Sequence, residues 1–144
     1  MRTNLGVEDL GDLLEQPLVA VLATLRADGS VLLSPVWHEW RDGAFQVWVG
    51  ERDVKAKHLR RDPRASIVVG ESTPPLRGIE VRGSAQLVEE GAFEVAVAVA
   101  SRYIGRERAT AYVGAAGSHP LIARIAPGDL RVWDFADDYD AMTP

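Results

Sequence analysis

Apolar positions fall in short runs separated by turn signals. Leu18 to Leu25 is rich in Val, Leu and Ala and predicts a buried strand. Asp28-Gly29 marks a hairpin turn, Val31 to Trp40 predicts a second strand, and Asp42-Gly43 marks the turn before a third strand, Phe45 to Val49. Three strands joined by two tight turns predict an antiparallel meander. Ala65 to Val69 is apolar and β-branched, a fourth strand. Glu71 to Pro75 has loop composition, and Arg77 to Val88 predicts a long fifth strand with Gly78 and Gly83 as bulges or close approaches. Leu121 to Ile125 and Asp129 to Phe135 predict a closing hairpin around Pro127-Gly128.

Between these runs the period changes to that of a helix. In residues 7–16, Leu10, Leu13 and Leu14 share helical spacing, and Pro17 stops the segment. Arg52 to Ser66 predicts one helix of two to three turns, closed by Asp62-Pro63. Gly91 to Tyr103 is rich in Ala and Val, which predicts a helix buried against a sheet or a second subunit. Arg106 to Ala116 predicts a further helix ending at Gly117, and the acidic tail from about residue 137 is expected to be loose. Six or seven antiparallel strands with two to four helices make a mainly β chain, a closed or split β-barrel with flanking helices. Hairpins in place of βαβ crossovers, and the lack of a G-x-G-x-x-G, exclude a Rossmann domain. No repeat or linker divides residues 1–144, so a single domain is expected.

Composition narrows the function. The apolar share of 47% and charged share of 26% are ordinary for a soluble globular chain. A formal charge of −5 disfavours a general nucleic-acid binder. The charge is uneven: Arg52, Lys55, Lys57, Arg60, Arg61 and Arg64 crowd one stretch, whereas Asp134, Asp137, Asp138 and Asp140 stand at the end without a cation. A local basic stripe suits a small anionic ligand. There is no cysteine, and His38, His58 and His119 lie in different elements, so no metal site is expected. The apolar runs are too short for a bilayer, and no apolar h-region follows Arg2-Thr3-Asn4. A cytoplasmic enzyme acting on a small molecule, away from membranes and nucleic acid, is the expectation.

The basic stretch carries the sharpest chemistry. Asp53 is placed to cap the helix, which makes Lys55 a first-turn residue, where a cation opposes the helix dipole. Lys55 shares a face with Leu59 and so leans inward. An inward lysine beside free N–H groups wants an anion, and a phosphate would satisfy both. In the second strand, Ser34-Pro35-Val36-Trp37 puts a proline where a ladder donor is lost, which belongs at an edge or bulge. That leaves either a plain edge or free backbone groups for the polar edge of a flavin-type ring. Trp37, Trp40, Trp48 and Trp133 serve either as core or as an aromatic floor, with Trp37 and Trp133 the stronger functional candidates. Lys57, Arg60 and Arg61 read as a solvated face, Arg77 and Arg82 as weaker anion candidates, and His38 as a satisfied polar residue. No Ser-His-Asp set or paired carboxylates appear, so the chain either binds something or lets a cofactor do the chemistry.

Several of these segments, in this order, resemble a known family. They are Ser34-Pro35-Val36-Trp37, Arg41-Asp42-Gly43, the run Lys55-Ala56-Lys57-His58-Leu59-Arg60-Arg61-Asp62-Pro63-Arg64-Ala65-Ser66, and Val81-Arg82-Gly83-Ser84-Ala85. Over roughly residues 7 to 135 the chain resembles the pyridoxamine 5′-phosphate oxidase-like split-barrel superfamily. Within it, the chain is most similar to flavin/deazaflavin oxidoreductases that use coenzyme F420. The resemblance implies an FMN-binding-like split barrel and a homodimer with two equivalent sites at the interface. It implies that Ser34 to Trp37 lies along the cofactor ring, that Trp48, Val49 and Gly50 lie near it, and that Lys55 meets the phosphate, with Lys57 near the phosphate or the anionic tail. Val54-Lys55 stands where flavin-using relatives carry an Arg-Lys pair, which favours F420 over FMN. The acidic Asp134-Phe135-Ala136-Asp137 argues against vitamin B6 oxidation. The implied activity is hydride transfer from reduced deazaflavin to a conjugated small-molecule acceptor, with no proton donor assigned. The alternatives are an FMN-dependent oxidoreductase of the same fold and a non-catalytic flavin-, deazaflavin- or haem-binding protein.

Overall fold

The structure, a computed structural model, describes Arg2 and residues 4–142. Its strands are β1 (Ala20–Leu25), β2 (Val31–Val36), β3 (His38–Arg41), β4 (Ala44–Gly50), β5 (Arg64–Gly70), β6 (Gly78–Val88), β7 (Pro120–Ile125) and β8 (Asp129–Trp133). Its helices are α1 (Val54–Arg61), α2 (Ala92–Ile104), α3 (Arg106–Gly114) and α4 (Ala136–Met142). Hydrogen-bonded neighbours run β2-β1-β5-β6-β7-β4-β3, with β8 beside β6, and all pairings are antiparallel. The two ends of this path, β2 and β3, are consecutive in the chain yet unpaired. The gap between them is the split in the barrel.

Alternation along the strands builds the interior. Ala20, Leu22 and Thr24 of β1 point inward, as do Ala65, Ile67 and Val69 of β5. They meet Phe45, Val47 and Val49 of β4 and Ile79 and Val81 of β6, and α1 inserts Ala56 and Leu59 into the same core. A second cluster forms where Ala92, Ala96 and Ala100 of α2 and Ala109 and Val113 of α3 pack on Ile122 and the half-buried Trp37 and Trp48. Small alanines let α2 lie close against the sheet, the burial its composition predicts. The close approaches expected at two glycines are present. A Cβ on Gly78 would sit 2.2 Å from the Trp133 ring, and one on Gly83 would sit 2.4 Å from the Ala126 carbonyl oxygen.

Five expectations are corrected. Residues 7–16 form two short 3-10 turns, Val7–Leu10 and Leu13–Glu15, because Gly11 between them takes φ 59° and interrupts a continuous helix. The segment Val31 to Trp40 is two strands broken at Trp37: β2 pairs with β1, whereas β3 pairs with β4. The first strands are therefore two hairpins at opposite ends of the path, not a meander. The last two strands are not a hairpin either, since β7 pairs with Ala85–Val88 of β6 and β8 with Gly78–Arg82. The Pro127-Gly128 turn passes across β6, where the Gly128 N–H donates to the Arg82 carbonyl at 2.9 Å. Finally, the acidic tail is helical through Met142, with Arg2 paired to Asp137 at 2.8 Å, while residues 143 and 144 lie outside the described residues.

Candidate functional site

A cleft of about 350 Å³ opens beside the split. Pro35, Val36 and Trp37 come to it from the β2 side, Trp48 from β4, Lys55 from α1, Tyr112 from α3 and Val19 from the segment before β1. Five residues singled out in the sequence thus meet there: Pro35, Val36, Trp37, Trp48 and Lys55. Pro35 lies on the edge strand β2, opposite Val21, so its missing N–H leaves the ladder intact. Trp37 stacks on Tyr103 with ring centroids 4.9 Å apart and planes 7° from parallel. Tyr112 tilts over Trp37 at 5.8 Å and meets Trp48 edge-on at 5.7 Å. The wall is thus a connected aromatic cluster.

Among the described residues, Lys55 is the one charged residue of the lining. Its side chain is 23% exposed, and its Nζ lies 3.8 Å from a carboxylate oxygen of Asp53. Leu59, one turn on, is buried in the core, in keeping with the inward lean argued from spacing. Asp53 does occupy the N-cap position, but its side chain does not cap the helix. It turns back instead to accept from the Gly50 N–H, at the end of β4, at 2.8 Å. No side chain therefore caps the α1 N-terminus, and its donors stand beside a lysine.

The other named residues fall elsewhere. Ser34 is half-buried within β2 opposite Leu22, outside the cleft lining. Val49 is 1% exposed and points into the core, and the Gly50 N–H is taken by Asp53. Lys57 is exposed, two residues from Lys55 and so on a different face of α1. Trp133 packs on Gly78 beneath the Arg131 guanidinium, far from the cleft in the sheet order. Trp40 packs on Phe45 at the main core. Tyr112 and Tyr103 escaped the sequence pattern because nothing local marks them, and only the docking of α2 and α3 brings them to Trp37.

Two cations proposed for anions are otherwise engaged. Arg77 is enclosed by Glu71 at 2.7 Å, Asp12 at 2.8 Å and the Leu10 carbonyl at 2.8 Å, so it is a structural tie. Arg82 faces Asp129 at 3.8 Å. It belongs to a larger outer groove of about 510 Å³ with Arg64, Ser66 and Ser84. That groove is the poorer candidate despite its size: Asp62 holds Arg64 at 2.7 Å, its cations are already compensated, and no aromatic ring lines it. Arg61 reaches the Leu25 carbonyl, and Arg60 is exposed. Among the described residues no cluster of His, Asp or Glu could hold a metal, and no helix is long and apolar enough to cross a membrane.

His38 departs from expectation. It is fully buried, and neither ring nitrogen has a hydrogen-bond partner. Phe45 and Tyr103 present their rings to it edge-on at 5.4 and 6.5 Å. Burial, and secondly the Arg102 guanidinium, push its pKa down to about 4, with the nearby Leu18 carbonyl opposing. The imidazole is therefore neutral in the folded state while the unfolded chain takes up a proton at about pH 6.5. Stability is accordingly full above pH 6.5 and declines as pH falls toward 4. Denaturant midpoints measured across that range should show this slope, and His38→Leu should lessen it, leaving the part due to His58, whose burial also lowers its pKa.

Comparison with known proteins fits this architecture. The family model of pyridoxamine 5′-phosphate oxidase matches residues 7–133. The conserved hypothetical protein Rv2991 of Mycobacterium tuberculosis superposes with TM-score 0.77 at 27% identity, over 92% of this chain and 87% of its own. An F420 reductase superposes with TM-score 0.66 at 22% identity, over 83% of this chain and 93% of its own. An FAD-binding protein of Mesorhizobium loti does so with TM-score 0.62 at 18% identity, over 91% and 95%. An antiparallel barrel split between β2 and β3, and a family match that spans nearly all of it, lead to one assignment: the chain belongs to the pyridoxamine 5′-phosphate oxidase family.

Proposed function

We propose that this protein is an oxidoreductase that binds a deazaflavin of the F420 type in the Trp37 cleft and serves hydride transfer to a conjugated small-molecule acceptor. The carrying observation is that one cleft joins an aromatic wall, Trp37, Trp48 and Tyr112, to Lys55 at a helix start that no side chain caps. This donor set fits the group: flat apolar walls suit a tricyclic ring, and a cation with backbone N–H groups suits a phosphate. The volume lies within the usual range for small-molecule sites. The names of two structural neighbours, an F420 reductase and an FAD-binding protein, support a flavin-type ligand. Val54 before Lys55, where flavin users are expected to carry arginine, favours F420 over FMN.

When bound, the deazaflavin supplies the hydride. The chain's own part is to bind and orient. Lys55 would hold the phosphate end, Trp37 and Trp48 would fix the plane of the ring, and the unpaired edge of β2 would offer backbone groups to its polar rim. The site would be completed by a second copy of the chain. Supporting this, Val31, Leu33 and Pro35 project from β2 as an exposed apolar row, with Val19 beside them. A homodimer would cover that row and exclude water from the cleft.

Titration of the purified protein with oxidised F420 and with FMN, followed by tryptophan fluorescence, tests the cofactor. Saturable F420 binding without FMN binding is expected, and a yellow protein with tightly copurified FMN would overturn it. Reduced F420 is then mixed with enones and quinones. Oxidation of the cofactor by any of them supports catalysis, whereas binding without turnover favours a carrier of the same fold.

A further inference from the structure

We propose that Tyr103 is a positioning residue that sets the pitch of Trp37, and through it the aromatic wall of the cleft. Trp37 lies in the one-residue break between β2 and β3 and has no strand partner in either pairing. The sheet therefore does not fix it. Its ring is instead supported by the parallel stack on Tyr103.

Tyr103 is itself held at its hydroxyl. That oxygen donates to the Leu18 carbonyl at 2.8 Å and accepts from the His38 N–H at 3.0 Å. One atom thus ties the chain entering β1 to the residue that follows Trp37. Arg102, next along α2, donates to the His38 carbonyl and to the carbonyls of Leu14 at 2.8 Å and Gln16 at 2.9 Å. Both backbone groups of His38 are gripped by the last turn of α2, whereas its imidazole has no partner to anchor it. The orientation of Trp37 thus follows from α2, an element that supplies no residue to the cleft lining.

Two variants of the full chain test this. Tyr103→Phe keeps the ring stack and removes the tie; Tyr103→Leu removes both. The first readout needs no ligand: the near-ultraviolet circular dichroism and acrylamide quenching of Trp37, taken as the difference from the same variants in a Trp37→Phe background. A change in Tyr103→Phe is expected, larger in Tyr103→Leu and absent when Trp37 is replaced. The second readout rests on the function proposed above: the Kd for oxidised F420 should rise about three- to tenfold in Tyr103→Phe, the scale of one hydrogen bond. A Trp37 signal identical to wild type, or a changed signal with an unchanged Kd, overturns the proposal. Should wild type bind no F420, the cofactor assignment fails by itself, and the ligand-free Trp37 signal alone decides the role of Tyr103.

Discussion

Lys55→Ala is expected to weaken F420 binding by about 1.5–3 kcal/mol, the range for a hydrogen bond to a charged group, or roughly ten- to 150-fold in Kd. The case rests on what surrounds the ammonium group. Its carboxylate neighbour, Asp53, is 3.8 Å away and already accepts from Gly50, so the lysine keeps donors for an incoming anion. The partial burial of the side chain reduces screening and makes the contact stronger than a surface pair. Arg61 is the control. It lies on the same helix, is exposed, and is spent on the Leu25 carbonyl, so Arg61→Ala should change Kd less than twofold. Fluorescence titrations of the three proteins at one ionic strength read the difference, and equal losses from the two variants would refute the assignment of Lys55.

Arg77→Ala is expected to cost about 1.5–3 kcal/mol of folding stability, the range for hydrogen bonds to a charged group, here in a part-buried ion pair. The Glu71 side chain is 8% exposed and receives two guanidinium bonds, at 2.9 and 2.7 Å. Removing Arg77 partly strands that carboxylate, which keeps only the residue-77 N–H at 2.9 Å and the Gln16 amide at 3.3 Å, and it also frees the Leu10 carbonyl, which ends the first 3-10 turn. Arg77 holds the Glu71 carboxyl down at about 2, chiefly through their hydrogen bonds. The folded pKa lies below the unfolded value, so this contribution is present above about pH 4.5 and is lost as pH falls toward 2. Urea denaturation at neutral pH measures the loss, and a change under about 1 kcal/mol would place the pair with exposed surface ion pairs instead. The double variant Arg77→Met with Glu71→Leu separates the causes. Recovery of most of the stability identifies the stranded charge rather than missing contacts as the source.

Sequence alone carried the parts of the molecule that are local. The basic helix, the fourth and fifth strands and the tight approaches at Gly78 and Gly83 were legible because cap, period and turn residues lie within a few positions of one another. Lys55 leaning with Leu59 was legible for the same reason. The break at Trp37 was not, since tryptophan is a good strand residue and only the separate partners of β2 and β3 make the interruption. The same holds for β7 and β8, whose turn looks like a hairpin until β6 comes between them. Asp53 shows a finer limit: it reached the predicted cap position, and a competing donor at Gly50 took its side chain. Tyr103, Tyr112 and the partnerless imidazole of His38 depend on how α2 and α3 dock, which no short pattern encodes.

The position of Trp37 in the break between β2 and β3 has a bearing on how this protein can diversify. A residue without a strand partner can be exchanged without unzipping a ladder, so its replacement is felt where its ring packs, at Tyr103, Tyr112 and the cluster under α2 and α3, and in the cleft it lines. The lining of the cleft and the ladders of the barrel can therefore change independently there, at a cost confined to the helical cluster behind Trp37.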